Sequence, residues 1–298
     1  MVLYDPKEWI SAVFKIHKAD TFRKLFPTIL LMSLYAWGVV YLETVYLKLG
    51  ETSHAKNLTI LHSLLGFAIS MLLVFRTNTA YERWWEGRKL WGSLINNSRN
   101  FAIKINPFLP AEAHHVRHYF RQAIPLYALA MKRHLVKETT KLALDETPHP
   151  EFSELGKDAH VPNSIAASML RELMKMRKEN MIDDYQLLML NNEWQSFTDI
   201  CGACERIKNT PIPYSYSAFI KKFIVLYVVT MPFGFAVTLG LFTIPVTAFM
   251  FYILASLEII AEEIEDPFGV DSNDLPMQKI AENIKMNIEE IIPAPSLP

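Results

Sequence analysis

FIVLYVVTMPFGFAVTLGLFTIPVTAFMFYILASL, residues 223–257, is a run of 35 consecutive residues without a formal charge. A bilayer's hydrocarbon core is about 30 Å thick and takes roughly 20 residues of helix to cross. The run is therefore too long for one crossing and right for two short ones, with Pro232, Gly234, Gly240 and Pro245 available to break the helix between them. Two further runs match one crossing each: Leu25 to Leu42 is 18 residues without a charge, and Asn57 to Phe75 is 19 with His62 as its lone ionisable group. A buried helix of a soluble protein can be as apolar as one of these. Three such stretches in 298 residues argue instead for an all-α, multispan membrane protein with four transmembrane helices per chain.

Composition agrees: 51% of the residues are hydrophobic, and the mean hydropathy is +0.12. The net charge of −1 offers no field that would draw nucleic acid, so no nucleic-acid partner is expected. Cys201 and Cys204 are the only cysteines, too few for a disulfide framework. No cleavable signal-peptide pattern is visible. Met1 to Phe26 interleaves Lys7, Lys15, Lys18, Arg23 and Lys24 with Trp9, Ile10, Phe14 and Phe22. This reads either as a helix lying on a membrane surface or as an amphipathic helix packed on the protein itself.

Basic residues near the spans set the orientation. Five lie in the N-terminal arm, and Arg76, Arg83, Arg88, Lys89 and Arg99 follow the second run, whereas the loop around Gly50 has Lys48 and Lys56. Both termini and the 147 residues from Arg76 to Lys222 are thus expected in the cytoplasm, the latter as a domain of their own. Tyr81 to Ile105 extends the second span until Asn106-Pro107 interrupts it, and helices are expected over Ala111–Val136, Ser164–Glu179, Ile182–Ile207 and Met277–Ile291. No run alternates with period two, so no sheet is expected. Glu138 to Pro162, with three prolines, reads as a loop. The expected division is 1–26 interfacial arm, 27–75 first and second spans, 76–222 cytoplasmic helical domain, 223–261 third and fourth spans, and 262–298 acidic turn, last helix and tail.

Chemistry has few footholds. Cys201-Gly-Ala-Cys204 has the spacing of redox and zinc motifs but falls within an expected helix, with no second pair and no βα unit. His114 and His118 stand one turn apart near Glu112 and His115; they form either half of a metal site or a solvated histidine face. There is no phosphate-binding glycine loop, G-x-S-x-G elbow or H-E-x-x-H. A membrane-anchored metal-dependent enzyme or sensor is therefore the weaker alternative to a non-enzymatic protein. In the second run Phe67, Met71 and Phe75 recur every four residues, a stripe of large apolar side chains down one helix face. In a single-chain bundle such a stripe is core; in a ring of identical chains it closes into a constriction that gates ions by dewetting. Arg76, next in sequence, either faces a lumen or forms a buried pair with Glu82 or Glu86.

Three ordered blocks carry a resemblance. FRTNTAYERWWEGRKLWG (75–92), CERIKNTPIP (204–213) and EEIEDPFG (262–269), the last followed by NDLP (273–276), are similar to the corresponding segments of bacterial bestrophin ion channels, and the likeness extends over the whole chain. The resemblance implies a homopentamer in the inner membrane around one pore that passively conducts monovalent ions. Chloride is the family default, with sodium or potassium among bacterial members. It implies a hydrophobic neck at Phe67, Met71 and Phe75, where Met71 departs from the family's usual smaller aliphatics, and a cytosolic aperture at Tyr185 or its neighbour Gln186. In calcium-gated animal relatives the acidic turn holds calcium, and Asp266, Asp271 and Asp274 match the side-chain ligands. The other reading of that turn is structural, with Asp266 and Asp274 capping helices and pairing with the basic arm. No cofactor other than calcium is implied.

Overall fold

A computed structural model of the chain describes residues 21–48, 58–136, 160–271 and 273–293. The arm before Thr21, the connection around Gly50, positions 137–159 and the tail lie outside these residues. The described residues form helices and turns, with no strand among them. The helices are α1 (Thr21–Tyr41), α2 (Leu58–Phe108), α3 (His114–Leu135), α4 (Val161–Lys178), α5 (Asp184–Asn209), α6 (Tyr214–Leu239), α7 (Thr243–Glu265) and α8 (Met277–Ile291).

The chain divides into two compact units. The first comprises the residues up to Trp84, Pro211–Asp266 and Asp271–Asn273. Here α1 packs on α6 and α7, and α6 packs on α7. Three stretches, Thr21–Tyr46, Leu58–Phe108 and Tyr214–Glu265, are long and apolar enough to cross a membrane. Their shared core contains Leu25 from α1, Ile69 and Leu73 from α2, Ile220, Ile224 and Val228 from α6, and Phe251 and Leu254 from α7. Single polar contacts cross-link it. Tyr35 Oη donates to Val229 O at 3.0 Å, Ser256 Oγ donates to Thr21 Oγ1 at 2.8 Å, and the His62 ring meets the Thr230 hydroxyl with Nε2 3.1 Å from Oγ1. Where water is scarce, such partners are what make a polar side chain tolerable.

The break in the long apolar run falls at Gly240, not at a proline. Gly240 has φ +53° and ψ −130°, a conformation that glycine alone adopts cheaply, and Gly240–Phe242 wind as one 3₁₀ turn. Pro232 stays inside α6. Pro245 falls in the first turn of α7, where a missing N–H breaks no intrahelical bond. After α1, Leu42–Tyr46 form a π turn closed by Leu47 N–H donating to Leu42 O at 2.8 Å.

The second unit comprises Trp85–Thr210, Pro267–Val270 and the residues from Asp274 onward. In it α3 packs on α8, α4 and α5, and α4 packs on α5, around Trp91, Phe101, Phe120, Tyr127, Phe197, Ile284 and Ile288, all fully buried. The aromatic rings interlock, Phe101 with Phe120 and Phe197 at centroid separations of 5.5 and 6.0 Å, and Tyr127 Oη donates to Phe197 O at 2.6 Å. α8 matches its expected bounds. α2, in contrast, runs through Asn106-Pro107 to Phe108. A proline in the last turn removes only one bond, and Arg117 takes up the exposed carbonyls beyond, donating to Leu109 O at 2.8 Å and Pro110 O at 2.7 Å while its Nε reaches Asn106 Oδ1 at 3.2 Å. α4 begins three residues before the expected Ser164 because the side chain of His160 caps it, Nδ1 accepting from Asn163 N–H at 3.2 Å.

Candidate functional site

The first-unit part of α2 has two faces. Ile69, Leu73 and Arg76 are 1–2% exposed and point into the unit. Phe67, Met71 and Phe75 lie on the other side, 70%, 46% and 57% exposed, and Leu64 and Ile60 extend the same outward strip toward the start of the helix. The stripe is thus no part of this chain's own core. Exposed apolar side chains in such a row require a cover the chain does not itself supply, whether lipid, another copy or the dry wall of a pore.

On the inward face of α2, Arg76, next in sequence to Phe75, belongs to an ion cluster. Arg76 Nη2 lies 2.7 Å from Glu265 Oε2, and Arg76 Nε lies 3.5 Å from Glu258 Oε2. Glu265 is tied further, Oε1 accepting Ile212 N–H at 2.7 Å and its backbone oxygen accepting from Arg83 Nε at 3.1 Å. Of the two readings for Arg76, the buried pair holds, but its partners are on α7 and are not Glu82 or Glu86. Residues six and ten positions along a helix sit roughly 240° and 280° away, so neither nearby glutamate shares the face of Arg76.

Tyr185 stands at the start of α5, 81% exposed. Its neighbour Gln186 is committed to a capping box: Gln186 N–H donates to Asp183 Oδ1 at 2.7 Å, and Asp183 N–H donates to Gln186 Oε1 at 3.0 Å. Beside them Arg177 donates to Asp184 at 2.5 and 3.0 Å and holds that carboxyl below its usual range.

In the acidic turn Asp266 and Asp271 are exposed, while Asp274 is 3% exposed. The neighbouring Glu263 is buried, pairs with Lys24 at the start of α1 and accepts from Asn273 Nδ2 at 2.6 Å. Trp84 Nε1 donates to Asn273 O at 3.1 Å. The turn's Phe268 is fully buried and packs on Gly87, where an added Cβ would lie 3.0 Å from its ring. Two of the blocks that carry the family resemblance therefore meet at one contact.

Among the described residues, one group of three His, Cys, Asp or Glu side chains converges closely enough to share an ion, and it is His134, His160 and Glu205. Neither His114 and His118 nor the three aspartates of the acidic turn form such a group. Cys201 and Cys204 are buried on α5 and unpaired as a disulfide, and burial pushes the Cys201 thiol up to about 12 and raises Cys204 as well. That environment is the reverse of a reactive thiol's. The ion cluster at Arg76 and the triad at Glu205 are both absent from the sequence-derived sites, because each joins residues far apart in the chain.

Comparison with known proteins follows the same lines. The family described as Bacterial/Fungal Bestrophin protein matches residues 1–290. The voltage-dependent anion channel-forming protein YneE of Escherichia coli K12 is 31% identical, covering 100% of this chain and 98% of its own length. The voltage-dependent anion channel-forming protein sll1024 of Synechocystis is 35% identical over 77% of this chain and 76% of its own. The crystal structure of a bacterial bestrophin homologue from Klebsiella pneumoniae superposes with a TM-score of 0.80 at 27% identity, covering 89% of this chain and 97% of that one. With its helical units, its outward apolar stripe and its Gly87–Phe268 contact in place, the chain belongs to the bestrophin family, in the bacterial and fungal branch.

Proposed function

We propose that this chain is one subunit of a passive ion channel, not an enzyme, in which Phe67, Met71 and Phe75 from each copy line a hydrophobic neck. One observation carries the reading. The stripe is the outward face of a helix whose opposite face is fully engaged, so a ring of copies is left with a row of large apolar side chains to close around an axis. An ion passing such a neck loses hydration oxygens and gains none, which lets small changes in width switch conduction on and off. Five copies is the number that the family resemblance implies. Met71 in the middle makes the neck compliant, since methionine has more rotamers than the aliphatics it stands in for.

In this proposal residues 27–75 and 223–261 make four crossings of the inner membrane, with Gly240 at the turn between the last two. Residues 76–222 and both termini are cytoplasmic, and Tyr185 rings the cytosolic aperture, Gln186 being engaged in its cap. Relatives named as voltage-dependent anion channel-forming proteins favour anion conduction, and chloride is the anion that the family resemblance implies. The acidic turn we read as a structural tie through Lys24, Glu263 and Asn273, with no calcium required at Asp266, Asp271 and Asp274.

The test is ion flux through the purified protein in liposomes under asymmetric salt. A reversal potential near the chloride equilibrium value is expected, and replacing Phe67, Met71 and Phe75 together by alanine raises the flux. Absence of flux in both proteins overturns the channel reading. A potassium- or sodium-directed reversal potential overturns only the anion assignment.

A further inference from the structure

Three side chains from three helices converge in the second unit. His134 is in the last turn of α3, His160 caps α4, and Glu205 sits toward the end of α5. Both imidazoles reach the same carboxylate oxygen, with Nε2 of His134 2.6 Å and Nε2 of His160 2.5 Å from Glu205 Oε1. The two rings are 4.3 Å apart between centroids, and all three ligand atoms lie within 4.8 Å of one another. Each side chain is about 30% exposed, so an ion could enter from solvent without unfolding the unit.

We propose that His134, His160 and Glu205 form a binding site for a divalent transition metal of the zinc class. Two imidazole nitrogens and one carboxylate oxygen suit zinc, and the half-open position leaves the fourth place to water. Tetrahedral zinc at about 2.0–2.1 Å from each ligand separates neighbouring donors by about 3.3 Å. The pairs observed at 2.5–2.6 Å must therefore spread by under 1 Å, within the reach of side-chain rotation about half-exposed positions. On binding, the Nε2 proton of each imidazole leaves that nitrogen, and Glu205 Oε1, which also accepts from Cys201 Sγ at 3.9 Å, exchanges its two imidazole hydrogen bonds for one metal bond.

The site has a cost that makes it testable. His160 Nδ1 accepts from Asn163 N–H and caps α4. A neutral imidazole that gives Nε2 to a metal carries its proton on Nδ1, so metal binding and capping by His160 exclude each other. Zinc would then release the first turn of α4 while joining the end of α3 to α5. The inference is independent of the channel reading, since it concerns residues that take no part in the neck.

The experiment uses the full chain in detergent, stripped with chelator and titrated with zinc in competition with a chromophoric chelator. One zinc per chain is expected. Glu205→Gln, which keeps the shape of the side chain, and His134→Ala are each expected to weaken binding by about tenfold or more, and a His114→Ala/His118→Ala double variant to leave it unchanged. Cobalt(II) in the unmutated protein provides a readout that needs no variant: tetrahedral absorption without a thiolate charge-transfer band. Hydrogen exchange adds a further sign, faster exchange at the Asn163 amide when zinc is bound. Failure of the unmutated chain to bind zinc, equal binding by Glu205→Gln, or a thiolate band that puts Cys201 in the ligand set would each overturn the assignment.

Discussion

Arg76 and Glu265 meet at 2.7 Å between α2 and α7, and Arg76 is 1% exposed within a single chain. A guanidinium enclosed by its own chain is not free to attract ions in a lumen. Its removal would leave the buried Glu258 and the partly buried Glu265 without the guanidinium they share, a change that costs about 3–5 kcal/mol. Arg76→Ala is therefore expected to lower the melting temperature strongly, and Arg76→Lys to lower it less and leave the reversal potential where it was. A shifted reversal potential with an unchanged melt would show that the arginine faces the ion path after all.

The two faces of α2 should respond oppositely to truncation. Ile69→Ala removes a fully buried side chain from the first unit's core and is expected to cost about 2–5 kcal/mol, with flux falling in proportion to the folded protein. Phe75→Ala removes a side chain that is 57% exposed and is expected to change stability by about 0.5 kcal/mol or less while raising flux several-fold. Thermal melts and liposome flux on the same preparations separate the two. Equal destabilisation by both would mean that Phe75 is packed as core in the assembled protein.

What could be read from the sequence was whatever depends on neighbours along the chain. The charge-free runs marked the apolar helices, the helix expected after the acidic turn, Met277–Ile291, has its observed bounds, and the four-residue recurrence put Phe67, Met71 and Phe75 on one face. What could not be read depends on a partner elsewhere. Arg76 looked toward Glu82 and Glu86 because they are near in sequence, yet helix geometry already turns them away, and its actual partners lie 182 and 189 positions on. The start of α4 was expected at Ser164 from the Pro162-Asn163-Ser164 signal, whereas the observed cap is His160, one ring nitrogen of which accepts from Asn163 N–H while the other meets Glu205, 45 positions on. The turn between α6 and α7 had four candidates. Which of them would break the helix was decided by backbone conformation, which only glycine supplies at low cost.

Gly87 tests whether the contact between α2 and the acidic turn is a packing requirement. An added Cβ would lie 3.0 and 3.1 Å from the Phe268 ring and 3.2 Å from the Pro267 ring, distances at which the neighbour has to move. Phe268 is fully buried and Pro267 is covalently rigid, so little room exists to yield. Gly87→Ala is expected to gain slightly from helix propensity but lose about 1–3 kcal/mol to overpacking, a net loss seen in the melt. The companion Gly202→Ala, on α5 with open space around its Cα, is expected to hold or gain stability. If both variants melt alike, the close approach of Phe268 contributes nothing.

The cysteines give a prediction in pH. Burial raises the Cys201 thiol from an ordinary 9.0 to about 12, because a thiolate there would lose its hydration, with Glu205 nearby adding repulsion. A group whose value is raised by folding leaves stability untouched while it is protonated in both states, below about 9. Above that the unfolded chain releases the proton first, so stability is lost as pH climbs from about 9 toward 12. A chemical-denaturation series should accordingly be flat from neutral pH to about 9 and then fall, and a Cys201→Ala/Cys204→Ala variant should fall less steeply over that window. Labelling reads the same physics more directly. A maleimide at neutral pH is expected to leave both thiols of the native protein unmodified and to modify both once the chain is unfolded, as mass spectrometry would register. Rapid native labelling of either residue would mean that α5 opens at Cys201 and Cys204 far more readily than its packing around Tyr127 and Phe197 allows.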